Sequence, residues 1–210
     1  NGCFATVSAK LKNGCFATVS AKLKNGYLHL IRTKSDFRVT FFLLLRLKTM
    51  RFYNVSDRYI TYLKGFDKKV PDNYEGKRPY VGVVITVNGH DYLAPLTSYK
   101  SKQDDYDGSS PINFKVYEKG NLDDKLGLIH VNNMIPVINS ELSPVNFSNQ
   151  ERTYKAILKK QYAYILAEQD VLKSKAKAVH KLVTIDKEEF FIEHCCNFEV
   201  LEANYKNFKP

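Results

Sequence analysis

Tryptophan is absent from the 210 residues, and no apolar run is long enough to cross a bilayer. The longest, Val39 to Leu45, reaches Leu47 only across Arg46. A secretory leader needs a small-residue cleavage site after such a run, and Arg46-Leu47-Lys48-Thr49 does not supply one. Cysteine is scarce. Of the four, Cys3 and Cys15 are one position of a duplicated segment, and Cys195 and Cys196 are neighbours that a mutual disulfide would strain. Without a Cys-x-x-Cys spacing a zinc ribbon is excluded. This usage fits a reducing compartment, and a cytoplasmic location is expected.

Acid is nearly missing from the first 49 residues, which hold nine Lys/Arg against Asp36 alone. Residues 50–210 hold the other 23 Lys/Arg and 21 Asp/Glu, so the net charge of +10 belongs mostly to the leading segment. Charge as a whole is therefore no argument for nucleic acid, and any contact in residues 50–210 must come from a local patch. One candidate is 151–181, with eight basic residues against Glu151, Glu168 and Asp170. The 14 Tyr and 13 Phe suit base stacking, but each is also an ordinary core and strand residue.

Residues 1–12, NGCFATVSAKLK, recur without substitution as 13–24, and Asn25-Gly26 opens a third copy. Protein repeats are normally similar rather than identical, and twelve residues is short for a solenoid unit. Identity therefore points to a conserved nucleotide sequence: twelve codons are 36 nucleotides, and such a DNA repeat stays in frame. The following stretch to Thr49 has no clear amphipathic period. We expect residues 1–49 to be upstream DNA read as protein, disordered, with translation starting at Met50. The rival reading is a basic arm that grips RNA.

From Met50 the pattern is that of a folded domain. Arg51 to Val55 reads as a strand, and Ser56-Asp57 opens a helix carrying Tyr59, Tyr62, Leu63 and Phe66, with Gly65 near its end. Residues 67–79 read as a polar loop. Tyr80 to Val87 is a buried strand, Asn88-Gly89 a hairpin turn, and His90 to Leu96 the returning strand. Residues 97–112 read as a mobile loop. Strands follow over 113–118, 126–131 and 134–138. From about Asn149 the period turns helical, with Tyr154, Ile157, Leu158, Gln161 and Ile165 on one face. Helices cover roughly 171–183 and 187–195, and Asn197 caps a last one through Tyr205. Strands first and helices second predict an α+β fold around one antiparallel sheet.

Thr97-Ser98-Tyr99-Lys100 sets two hydroxyls and a cation at a strand end. Alone, such a motif is more often a solvated strand end capped by local turns. Its surroundings change that reading. MRFYNVSDRYITYLKGF (50–66), RPYVGVVITVNGHDYLAPLTSYK (78–100), LGLIHVNNMIPVI (126–138), YKAILKKQ (154–161) and CNFEVLEANYKNF (196–208) occur in an order that resembles the ToxN/AbiQ family of type III toxin–antitoxin endoribonucleases. The resemblance spans nearly all of residues 50–210.

It implies a twisted antiparallel sheet flanked by helices, similar to the Kid/MazF toxin barrel. It also implies RNA cleavage without metal or other cofactor, in which the ribose 2′-OH attacks the adjacent phosphate and leaves a 2′,3′-cyclic end. The family's Thr-Ser-x-Lys maps onto Thr97, Ser98 and Lys100, with Tyr99 where the family usually has Pro. On this reading Ser98 bonds the scissile phosphate or orients the 2′-OH, Thr97 assists, and Lys100 brings charge to the transition state. Tyr74 and Arg78 match loop positions held by Tyr and a basic residue, and would stack on a base or donate a proton, and fork onto phosphate. Lys64, Lys159, Lys160 and Gln161 match positions facing RNA, and solvated helix surface is their bland alternative. His90 and His130 are the other acid–base candidates near the sheet.

The implied partners are an antitoxin RNA of tandem repeats, encoded directly upstream where the exact repeats sit here, and cellular or phage mRNA as substrate. No membrane partner is implied, and a closed cyclic toxin–RNA complex is. The implied role is growth arrest in phage defence. A non-catalytic RNA-binding repressor on the same fold is the rival from another class, and a gyrase poison of similar fold a weaker one.

Overall fold

The computed structural model describes residues 4–10, 16–24, 27–30, 50–71 and 80–209. The chain divides into two units, Asn1–Lys48 and Thr49–Pro210. In the first, β1 (Phe4–Lys10), β2 (Phe16–Lys24) and β3 (Tyr27–Leu30) form an antiparallel sheet in that order. Where the sequence reading expects disorder, the two identical FATVSAK segments pair with each other, Val7 opposite Val19 and Ala9 opposite Ala17. Phe, Thr and Val favour extended backbone wherever they fall, whatever placed them there.

The second unit is built on β4 (Phe52–Val55), β5 (Tyr80–Val87), β6 (His90–Ser98), β7 (Asn113–Glu118), β8 (Asn121–His130), β9 (Ile135–Pro136) and β10 (Leu142–Pro144). They form one seven-stranded antiparallel sheet ordered β10-β4-β5-β6-β8-β7, with β9 also on β6. Its helices are α1 (Asp57–Lys64), α2 (Arg152–Ala167), α3 (Gln169–Thr184), α4 (Glu189–His194) and α5 (Phe198–Asn204). The α+β class expected from the sequence is the one observed.

Asn88 and Gly89 both take positive φ, 48° and 85°. That is the backbone of the two-residue hairpin turn whose twist matches the flanking strands, and it sets the register Val87 opposite His90. Pairing of β5 with β6 runs to Gly82 opposite Pro95 and stops there. Proline has no N–H to continue the ladder. Beyond it β6 pairs with β8 instead: Leu96 with Ile129, Thr97 with Leu128, Ser98 with Gly127. The end of β6 thus leaves the body of the sheet with a neighbour on one side.

The core lies between the sheet and the helices. Tyr59, Ile60 and Leu63 of α1, Val83 and Ile85 of β5, Leu158 and Ile165 of α2, and Leu172, Ala176 and Val179 of α3 are all buried. Each large apolar side chain among them contributes roughly 1.5–3 kcal/mol by leaving water. Cys195 and Cys196 are free thiols packed in the same core.

Ser56 occupies the N-cap position of α1 without a capping side-chain bond. Its hydroxyl donates instead to the buried Glu141, which Arg58 also grips through Nε (3.1 Å) and Nη2 (2.9 Å). Burial alone would raise the Glu141 pKa, and these donors outweigh it and hold the carboxyl below its ordinary range. The expected mobile loop 97–112 is more ordered than its composition suggests. Thr97 and Ser98 extend β6, residues 101–103 make a 3-10 turn, and Lys175 of α3 donates to the carbonyls of Gly108 (2.9 Å) and Ser110 (2.6 Å).

Candidate active site

The site grows from the place where β6 ends. Ser98 and Lys100 are exposed, and Thr97 is half-buried. The strand is held against β8 by Tyr99 N–H, which donates to Leu126 O (3.2 Å). The same carbonyl accepts Gln161 Nε2 from α2 (2.9 Å), so the helix is tied to the motif through one backbone oxygen. Gly127 stands directly across from Ser98. A Cβ there would lie 2.2 Å from Thr97 O and 3.1 Å from Gln161 Nε2, so only glycine permits this approach.

Thr97 Oγ1 donates to Leu128 O (3.2 Å) and accepts from Gln103 Nε2 (3.2 Å). It also meets His130 Nε2 at 3.3 Å. Burial and the charges of Lys102 and Lys100 push the His130 pKa below its ordinary value, so its imidazole is neutral near pH 7. On the other flank Tyr99 OH donates to Asp104 Oδ2 (2.7 Å) and Lys125 Nζ donates to Asp104 Oδ1 (2.8 Å). Those bonds, Lys125 first, hold the Asp104 carboxyl below its ordinary pKa. A shallow pocket opens here, lined in part by Tyr99, Gln103, Lys115, Tyr117 and Lys125.

Of the residues singled out from the sequence, Thr97, Ser98 and Lys100 are brought together, and Gln161 supports them from below. Gln161 is 2% exposed, so it reaches the site through Leu126 and not as a surface donor. Lys159 is exposed on α2. Lys160 is held between Glu118 Oε1 and Asp124 Oδ2, each at 3.0 Å. Lys64 closes α1, half-buried. Tyr74 and Arg78 lie outside the described residues. In the basic patch 151–181, Lys173 pairs with Asp170 and Lys181 with Asp186, while Lys175 is absorbed by loop carbonyls. His90 is taken up by Tyr205 OH (3.0 Å). Gln103 was not legible: a glutamine in a polar loop gives no sequence signal of burial.

No described helix is long and apolar enough to cross a membrane, and no group of three or more His, Cys, Asp and Glu among the described residues could hold a metal ion.

Comparison with known proteins bears on the same residues. A family described as "Toxin ToxN, type III toxin-antitoxin system" matches residues 51–206. The endoribonuclease ToxN of Pectobacterium atrosepticum is 40% identical over 164 residues, 76% of this chain and 94% of that protein. The endoribonuclease AbiQ of Lactococcus lactis is 34% identical over 160 residues, 74% of this chain and 87% of that protein. The solved structure of AbiQ, a lactococcal anti-phage endoribonuclease, superposes with a TM-score of 0.70 at 30% identity, covering 76% of this chain and 97% of that one. A second structure, from an antiviral system regulated by a processed non-coding RNA, gives 0.69 at 38% identity, covering 77% of this chain and all of that one. The family match over residues 51–206 and the relatives at 40% and 34% identity make the conclusion plain: the chain belongs to the ToxN family of type III toxin–antitoxin toxins.

Proposed function

We propose that this chain is an endoribonuclease toxin of a type III system, restrained by an RNA antitoxin, and that it acts in defence against phage. The observation that carries the reading is the exposed Ser98 and Lys100 at the end of β6, fixed by β8 and Gln103, in a chain whose relatives are endoribonucleases. The substrate is cellular or phage mRNA. The step is attack of a ribose 2′-oxygen on the adjacent phosphorus. The 2′-hydroxyl gives up its proton as the new P–O2′ bond closes a cyclic phosphate, the P–O5′ bond breaks, and the leaving 5′ oxygen takes up a proton in its place. Ser98 bonds the phosphate or orients the 2′-OH, and Lys100 offsets the charge that builds on the phosphoryl oxygens. Tyr74 stacks on a base or donates a proton, Arg78 contacts phosphate, and Lys64 and Lys159 contact the RNA backbone. This chemistry needs hydroxyls, cations and a proton donor, and no metal enters it.

On the same reading the antitoxin is the repeat RNA encoded by the stretch now read as residues 1–24, which the toxin both cuts and is held by, in a closed complex in the cytoplasm. The family match starting at residue 51 and the compact unit starting at Thr49 support a functional chain that begins at Met50. Mass spectrometry of protein expressed from its native locus checks this, and a peptide spanning Lys48 to Arg51 would overturn it. For the activity, the chain and its Ser98→Ala variant are mixed with RNA transcribed from the repeat DNA in EDTA. Cutting at a 36-nucleotide interval by the first and not the second is the expected result, one cut per twelve-codon unit. Binding without cutting by both would establish the repressor reading instead.

A further inference from the structure

We propose that Gln103 is a positioning residue for cleavage, the clamp that holds Ser98 and Lys100 in their working geometry. The inference rests on the nuclease reading of those two residues. Gln103 sits among the charged neighbours Lys102, Asp104 and Asp105, yet is only 5% exposed. Burying an amide is costly unless both of its ends are bonded. Here both are, and every partner belongs to the Thr97–Lys100 segment. Oε1 accepts from Lys100 N–H (3.3 Å), while Nε2 donates to Thr97 Oγ1 (3.2 Å) and to Ser98 O (3.3 Å). The Gln103 backbone N–H returns to Lys100 O (2.8 Å).

The orientation of the amide follows from the partners. A backbone N–H can only donate and a backbone carbonyl can only accept. The oxygen must therefore face Lys100 and the nitrogen Ser98. One planar group thus fixes the chain at both ends of the Thr97–Lys100 stretch.

Thr97 completes the clamp. A hydroxyl has one proton and two acceptor sites. Its proton goes to Leu128 O, and Gln103 Nε2 and His130 Nε2 occupy the rest. Thr97 is spent on holding the strand end, which leaves Ser98 and Lys100 as the groups that this motif presents to RNA. Rigidly placed groups act on the transition state more than on ground-state binding, so the clamp acts on kcat.

Gln103→Leu and Gln103→Glu, made in the full chain, test this on repeat RNA in EDTA. Gln103→Leu is expected to lower kcat by about 100-fold, with KM within about threefold of wild type. Gln103→Glu separates the clamp from mere filling of space. Ionised, its carboxylate offers Thr97 and Ser98 no donor. Protonated, it keeps the acceptor and regains one of the two donors that the amide directs at Thr97 and Ser98. The charged groups around it are Lys100, Lys102, Asp104 and Asp105 on its own loop, and Lys115, Lys125 and His130 from β7 and β8. Taking the ratio of variant to wild-type kcat at each pH removes the titrations that both proteins share. That ratio is expected to rise at least about tenfold as pH is lowered from about 8 to about 5. Should Gln103→Leu fail to fold, the glutamate series carries the test, with melting followed at each pH. A leucine variant within twofold of wild type, or a glutamate ratio flat in pH, would overturn the clamp. A wild-type chain that binds the RNA and never cuts it would remove the nuclease reading, a different failure.

Discussion

Each lysine near the site is defined by what its ammonium already touches. Lys160 is engaged by two carboxylates and has little left to offer a phosphate, whereas Lys159 beside it is exposed. Lys159→Ala is expected to weaken RNA binding evenly across sequences and lower the slope of log affinity against log salt by about one, with Lys160→Ala changing it less. Titration of repeat RNA over a salt series reads both, and equal slopes for the two variants would contradict this assignment. The buried thiols make a second prediction at this scale. Burial pushes the Cys195 pKa up to about 12, and that of Cys196 higher still. The thiolate is the reactive form, so neither residue should be alkylated in the native chain. Peptide mapping after iodoacetamide should find them unmodified until denaturant is added.

At the scale of elements, the junction between β6 and β8 decides where the site stands. Gly127→Ala places a methyl against Thr97 O, and the strands must part. The expected cost is about 1–3 kcal/mol of stability, read by denaturant midpoint, and a loss of cleavage greater than that destabilisation explains. Elements were legible where their cause is local. The Asn88-Gly89 turn, the β5 and β7 spans and the Asn197 cap follow from chemistry within a few residues. What was not legible is long-range. Ser56 marks a helix start in sequence, but its hydroxyl goes to Glu141, 85 residues away. The loop after Ser98 reads as mobile because nothing in it announces that Lys175 will take its carbonyls or that Gln103 will turn inward. The Thr-Ser-x-Lys motif itself was legible through the family resemblance, and its support from Gln103, Gly127 and His130 was not.

For the whole molecule, pH and the phosphodiester chemistry are the tests. The lowered pKa of His130 means that the unfolded chain keeps a proton the folded chain releases. Between the folded value and about 6.5, the unfolded state holds more protons, so stability rises with pH through that window and falls as pH drops below about 6.5. His130→Asn should lose less stability than wild type between about pH 7.5 and 5. Parallel melting curves for the two would contradict it.

If the end of β6 cuts RNA as proposed, the attacking group is the RNA's own 2′-hydroxyl. Mass spectrometry of fragment ends tests this most directly. The chain would be given, in EDTA, a repeat RNA and the same RNA with 2′-deoxyribose at the mapped cleavage position. Fragments ending in 2′,3′-cyclic phosphate are expected from the first, and the second is expected to stay uncut. Cutting at the deoxy position, or fragments that carry 5′-phosphate and 3′-hydroxyl ends, would contradict it.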